Sequence, residues 1–130
     1  MLLKKFFRTA KKLQSHVREI SKASGRSPLW ALVRDQHVKE HPACEACGSS
    51  KSLQVHHIKP FHIEPELELE PDNLITLCMD EFDCHLLIGH GDSFQCYNPH
   101  VVEDCSAFRK ANIEERTAIA TAAKNNRLKD

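Results

Sequence analysis

The chain has 130 residues, 18 basic and 18 acidic, with six cysteines and nine histidines. That is enough for one domain with a modest core, and no stretch is long and apolar enough to span a bilayer. Lysines interrupt the apolar start "MLLKKFFRTAKK", so the expectation is a basic helix rather than a secretory signal. The expected compartment is then the reducing cytoplasm, where six cysteines point to metal rather than disulfides. The neutral total hides an uneven distribution. Residues 1–26 carry eight bases and one acid, whereas residues 60–108 carry eleven acids and no Lys or Arg, a basic arm attached to an acidic middle that calls for an explanation.

Leu3, Phe6, Phe7, Ala10, Leu13, Val17 and Ile20 recur at helical spacing and predict a helix over 4–23. Ser27 and Pro28 then supply an N-cap and a first helical residue. They predict a second helix running to about Glu40 that buries Leu29, Trp30, Leu32 and Val33. "HPACEACGSS" is a turn. "LQVHHI" reads as a strand, 59–73 as a polar loop with three prolines, and "LITLC" (74–78) as a second strand. "DCHLLIGH" predicts a short helix ending near Gly89–Gly91, "SFQCYNPH" is irregular, and 103–125 predicts one final helix. The expected division is a basic helix over 1–26, a core over 27–102 and a helical end over 103–130, in a single domain.

Cys44-x-x-Cys47-Gly48 has the form of a zinc knuckle. Two thiolates three positions apart reach one tetrahedral ion, and the glycine permits the positive φ that turns the chain. Cys78, at the end of the second strand, and Cys84, at the start of the next helix, form a second pair. Together these four thiolates would staple a small core through structural zinc. Five residues separate Cys78 from Cys84, so "MDEFD" must bulge. Cys96 and Cys105 have no matching spacing. In the strand, His56 and His57 point to opposite faces, so they should do different jobs.

"CEACG", "VHHIKP", "DNLITLC" and "CH", in that order, resemble the HNH endonucleases over roughly residues 28–100. "LLIGHGDSFQCYNPHVVED" looks like a subgroup of small stand-alone HNH proteins from bacteria and phages. The resemblance implies an α+β fold with a ββα-metal (treble-clef, His-Me finger) core, flanked here by N- and C-terminal helices. It implies that His56 and His85 ligate one catalytic divalent metal (Mg²⁺, Mn²⁺, Ni²⁺ or Zn²⁺), that His57 is the general base, and that Asn73 fixes the loop aiming it. The family's additional histidine has His90 as its nearest candidate. His90 lies about 140° from His85 on a regular helix, so it joins the metal only if the helix ends or deforms. Asp80, Glu81 and Asp83 could lend an oxygen ligand or face water.

The chemistry is coherent in its own right. A neutral imidazole can take a proton from water near pH 7, and a divalent ion with few protein ligands keeps positions open for phosphate oxygens and the leaving group. The implied reaction is DNA phosphodiester hydrolysis to a 5′-phosphate and a 3′-hydroxyl, by nicking or double-strand cutting. Lys4, Lys5, Arg8, Lys11, Lys12 and Arg18, with Lys51 and Lys59 beside the hairpin, are the expected phosphate-binding surface. No membrane partner is expected, and the sequence leaves the oligomeric state open. His62 and His100 read as surface or loop residues, and His16, His37 and His41 carry no motif. The alternative reading is a zinc-stabilised DNA-binding module that does not cut.

Overall fold

A computed structural model describes Lys4, Lys5, Arg8 and residues 25–130. Most of the helix predicted over 4–23 lies outside these residues. Lys4, Lys5 and Arg8 are helical. Helix α1 spans Trp30–Glu40, starting two residues later than predicted. The Ser27 hydroxyl accepts from Leu29 N–H (3.0 Å), and the Ser27 carbonyl from Trp30 N–H, so Ser27 caps a turn that leads into the helix. The buried positions are Val33 and His37, which share one face at i and i+4. Leu32, predicted to be buried, is 54 % exposed, because one residue is about 100° around the helix from Val33.

The knuckle follows. Gly48 N–H bonds the Cys44 carbonyl and Cys44 N–H the Ser49 carbonyl, and Gly48 takes a φ of 81°. Strands β1 (Leu53–His57) and β2 (Leu74–Cys78) pair antiparallel, with Leu53 opposite Cys78, His56 opposite Ile75 and His57 opposite Leu74. Every residue of β2 is buried, so the hairpin is covered on both faces. Val55 and Leu74 pack with Val33 and Leu69 on the α1 side. Ile75 and Leu77 pack with Ile88, Val101, Phe108 and the cysteines on the other. The 59–73 connection is not a plain loop. It contains two 3₁₀ turns, Pro65–Leu67 and Pro71–Asn73, each with proline in its first turn, where its missing N–H costs nothing.

The predicted short helix is a π turn, His85–Gly89. The stretch read as irregular contains strand β3 (Cys96–Tyr97), which pairs antiparallel with β4 (Leu128–Lys129). The single helix predicted over 103–125 is two: α2 (Val101–Lys110) and α3 (Ile113–Asn126). Asn112 breaks the run by capping α3. Its side chain accepts from Glu115 N–H at 2.9 Å while the Glu115 carboxylate accepts from Asn112 N–H, a capping box visible in "NIEE". The described residues form a small α+β fold with two short antiparallel sheets. No helix among the described residues is long and apolar enough to cross a membrane.

Candidate active site

The four cysteines predicted as a staple come together. Cys44, Cys47, Cys78 and Cys84 hold their sulfurs within 4.8 Å of one another. The Cys47–Cys78 separation is 3.5 Å, against about 3.8 Å for two sulfurs on a tetrahedral zinc. Knuckle geometry recurs in the Cys47 N–H directed at the Cys44 sulfur (3.5 Å). The spacing problem at Cys84 is solved by a tight turn. Asp83 N–H bonds the Asp80 carbonyl at 2.8 Å and Asp83 takes a φ of 43°, which returns the chain to the cluster. A hydrogen bond from Cys84, backed by nearby backbone N–H groups, pulls the Cys44 thiol below its ordinary range. Donation of that bond, together with burial and the neighbouring sulfurs, pushes Cys84 up. Four crowded thiols cannot all ionise without a cation among them, and this donor set fits a tetrahedral metal ion. Cys105 is buried nearby but stands outside the cluster.

A second cluster lies at the other end of β1. His56, His85 and His90 place their ligand nitrogens within 4.8 Å of one another. His90 does not sit on the far side of a helix. The π turn carries a hydrogen bond from His90 N–H to the His85 carbonyl (3.1 Å), so five residues make one wide turn and the two rings share a side. Their Nε2 atoms are 3.2 Å apart, close to the roughly 3.4 Å expected of two nitrogens on one tetrahedral ion. His90 Nδ1–H donates to the Cys96 carbonyl (2.7 Å), which leaves Nε2 of a neutral ring bare. His56 Nε2 and His85 Nδ1 are buried with no hydrogen-bond partner among the described residues, a cost that a bound cation would offset at a ligating nitrogen. Burial, followed by the neighbouring histidines, lowers His56 well below its usual pKa, and burial with His90 lowers His85 to about 4. Both rings therefore offer lone pairs at neutral pH. Gly89 passes so close that a Cβ there would stand 3.2 Å from the His56 Cε1 and Nδ1.

His57 points away from this group, as strand alternation requires. Its ring packs against Trp30, with centroids 4.3 Å apart and planes tilted by 32°. Nε2–H donates to the Glu68 carbonyl (2.9 Å), which makes Nδ1 the unprotonated nitrogen of the neutral ring. Burial lowers its pKa, Arg26 adds to this, and the bond to Glu68 opposes it. Asn73 bonds across the connection that supplies Glu68. Its Oδ1 accepts from Lys59 N–H (2.8 Å), and its Nδ2 donates to the carbonyls of Lys59 (3.1 Å) and Leu67 (3.2 Å).

His56, His57, His85 and His90 line one cleft of about 570 Å³, together with Arg26, Trp30, Arg34, Phe61, His62 and Asp130 among others. Sequence reasoning missed Arg26, Trp30, Arg34 and Glu68, which carry no motif and reach the site only through tertiary contacts. Asp80, Glu81 and Asp83 do not belong to the histidine cluster. Asp80 accepts from the Ser49 hydroxyl and Asp83 from Leu86 N–H. Lys51 and Lys59 are exposed and outside the cleft lining. Lys4 and Arg8 line a different, larger cavity of about 700 Å³ with His37, Glu40, His41 and Glu45. That cavity contains none of the residues of the cysteine or histidine cluster. Lys5 is exposed, while Lys11, Lys12 and Arg18 lie outside the described residues.

Residues 44–91 match the family model described as HNH endonuclease, a span that contains both clusters together with His57 and Asn73. No curated protein and no solved structure matches the chain.

Proposed function

We propose that the chain is a metal-dependent DNA endonuclease with a ββα-metal core, and that the histidine cleft is its active site. One observation carries the reading. Three histidines converge on one point, while a fourth, on the next residue of the same strand, is held by a backbone carbonyl with its other nitrogen bare. The family match over 44–91 supports it. His56, His85 and His90 would hold the catalytic divalent ion (Mg²⁺, Mn²⁺, Ni²⁺ or Zn²⁺), and the four cysteines a structural Zn²⁺. When bound, the catalytic ion supplies neutralising charge to the phosphate and the leaving oxygen.

The chain's own residues do the rest. His57 Nδ1 takes a proton from water, and that water's oxygen bonds to phosphorus. The bond to the 3′ oxygen breaks and that oxygen takes a proton from solvent water, giving a 5′-phosphate and a 3′-hydroxyl. The Glu68 carbonyl fixes the tautomer that leaves Nδ1 free, Trp30 fixes the ring plane, and Asn73 braces the connection that carries Glu68. Burial keeps His57 unprotonated at neutral pH, as a base must be.

The test is incubation of the purified protein with supercoiled plasmid and Mg²⁺, Mn²⁺ or Ni²⁺, beside His57→Ala. The expected outcome is cleavage by the wild type and a loss of about 10²–10⁴-fold in the variant, with zinc content unchanged. Equal cleavage by both proteins would assign the base elsewhere. Duplex binding without cutting under every metal would make the chain a non-catalytic zinc-stabilised DNA-binding module.

A further inference from the structure

Arg26 lies on the wall of the histidine cleft. Its guanidinium carbon stands 4.7 Å from the Phe61 ring centroid and 5.7 Å from that of Trp30. Its Nε lies 3.7 Å from Glu68 Oε1, and its side chain is 48 % exposed whereas that of Glu68 is fully buried. The Glu68 carboxylate also accepts Ser27 N–H on both oxygens, at 3.1 and 3.2 Å. The carbonyl of the same residue orients His57. One buried residue thus fixes the entry to α1, the arginine and the histidine base, across 41 residues of sequence.

Resting on the nuclease reading, we propose that Arg26 is a phosphate-binding residue of the cleft and that Glu68 is the positioning residue holding it in register with His57. The guanidinium approaches Glu68 through Nε, at a distance longer than a direct hydrogen bond, and half of the side chain faces water. Its terminal N–H groups form a planar fork suited to phosphate oxygens. Aromatic stacking and a buried carboxylate hold that fork before substrate arrives, which lowers the ordering cost of binding. Arg34, the other arginine among the described lining residues, pairs with Asp35 at 3.4 Å. Asp130 is the only acid among the described lining residues, so these residues present a phosphate with more positive than negative side chains.

The test uses the full zinc-loaded chain carrying His57→Ala, so that a short fluorescein-labelled DNA duplex stays uncut. Anisotropy titrations between about 50 and 200 mM salt compare this parent with Arg26→Gln, Arg26→Lys and Glu68→Gln, and thermal melts check folding. Arg26→Gln should weaken binding about tenfold and reduce the slope of log affinity against log salt by about one, the signature of one lost phosphate contact. Arg26→Lys keeps the charge but loses the fork and the stack, so it should keep the slope and still bind more weakly. Glu68→Gln retains an acceptor for Ser27. It should reproduce the loss seen for Arg26→Gln, and the double variant should lose little more.

Unchanged binding by Arg26→Gln, or weaker binding with an unchanged salt slope, overturns the phosphate contact. If Arg26→Gln does not melt cooperatively, Arg26→Lys decides, and parental affinity there overturns the proposal. Additive losses for Arg26→Gln and Glu68→Gln remove Glu68 from it. Because the readout is binding, an inactive wild type would defeat the nuclease reading without altering this result.

Discussion

Asn73 closes a Pro-Asp-Asn turn, where asparagine is common for local backbone reasons alone. In the fold its side chain instead spends its acceptor and both donors on residues 6 and 14 positions away. It is buried, so removing it would strand Lys59 N–H and two carbonyls. Asn73→Ala should cost about 2 kcal/mol of stability and slow plasmid cleavage while leaving zinc content intact. Denaturant melts and single-turnover rates check this, and unchanged rates would free His57 from any dependence on the loop. The residue type and turn position of Asn73 could be read in the sequence. The partners could not, because Leu67 and Lys59 contribute only backbone groups. Glu68 was hidden for the same reason. Its role runs through its own carbonyl and through contacts with Ser27 and Arg26, which no local pattern predicts.

Among the secondary elements, the hairpin was the most legible. Alternation around Val55 specifies β1, and the observed β2, buried along its whole length, matches the predicted residues 74–78. The π turn was not legible, since hydrophobic spacing alone does not reveal a ladder widened by one residue. The break between α2 and α3 was legible but overlooked: Asn112 and Glu115 announce a helix start inside an alanine-rich run. Helix α1 carries a pH dependence. His37 is 4 % exposed with Nε2 unpartnered, and burial followed by His41 depresses its pKa to about 4. The unfolded chain, with the ordinary value of 6.5, therefore binds a proton that the native state refuses. Stability is fully present above about pH 6.5 and falls as pH drops toward 4. Between pH 7 and pH 5 the His37 share of the loss should be about 2 kcal/mol, added to that from the depressed cleft histidines His56, His57 and His85. Urea melts at both pH values test this, and His37→Phe should shrink the difference by about that share. An equal loss in that variant would assign the dependence to other groups.

For the molecule as a whole, the acidic middle segment does not conflict with the polyanionic substrate of the proposed function, because its acids stay off the cleft lining. None of the eleven acids in 60–108 lines the histidine cleft, and Glu70 and Asp72 open onto the separate larger cavity. Linear charge counts could not show this, since they ignore which face each residue takes. The cysteine staple was legible because ligand spacing is a local property of the chain. Cys44, Cys78 and Cys84 are wholly buried within the larger core, so a metal held by them and that core would form one cooperative unit. Cys44→Ala should abolish both zinc retention and cooperative unfolding, read by metal analysis and thermal melts. A variant that stayed zinc-loaded and melted sharply would exclude Cys44 as a ligand.

The two-residue ladder between Cys96–Tyr97 and Leu128–Lys129 reaches further than its size suggests. Cys96 lends its carbonyl to His90, so the last stretch of the chain serves as an adjusting screw on one imidazole some forty positions upstream. Trimming that stretch, or hanging an affinity handle on it, would disturb both this histidine and Asp130 on the cleft wall.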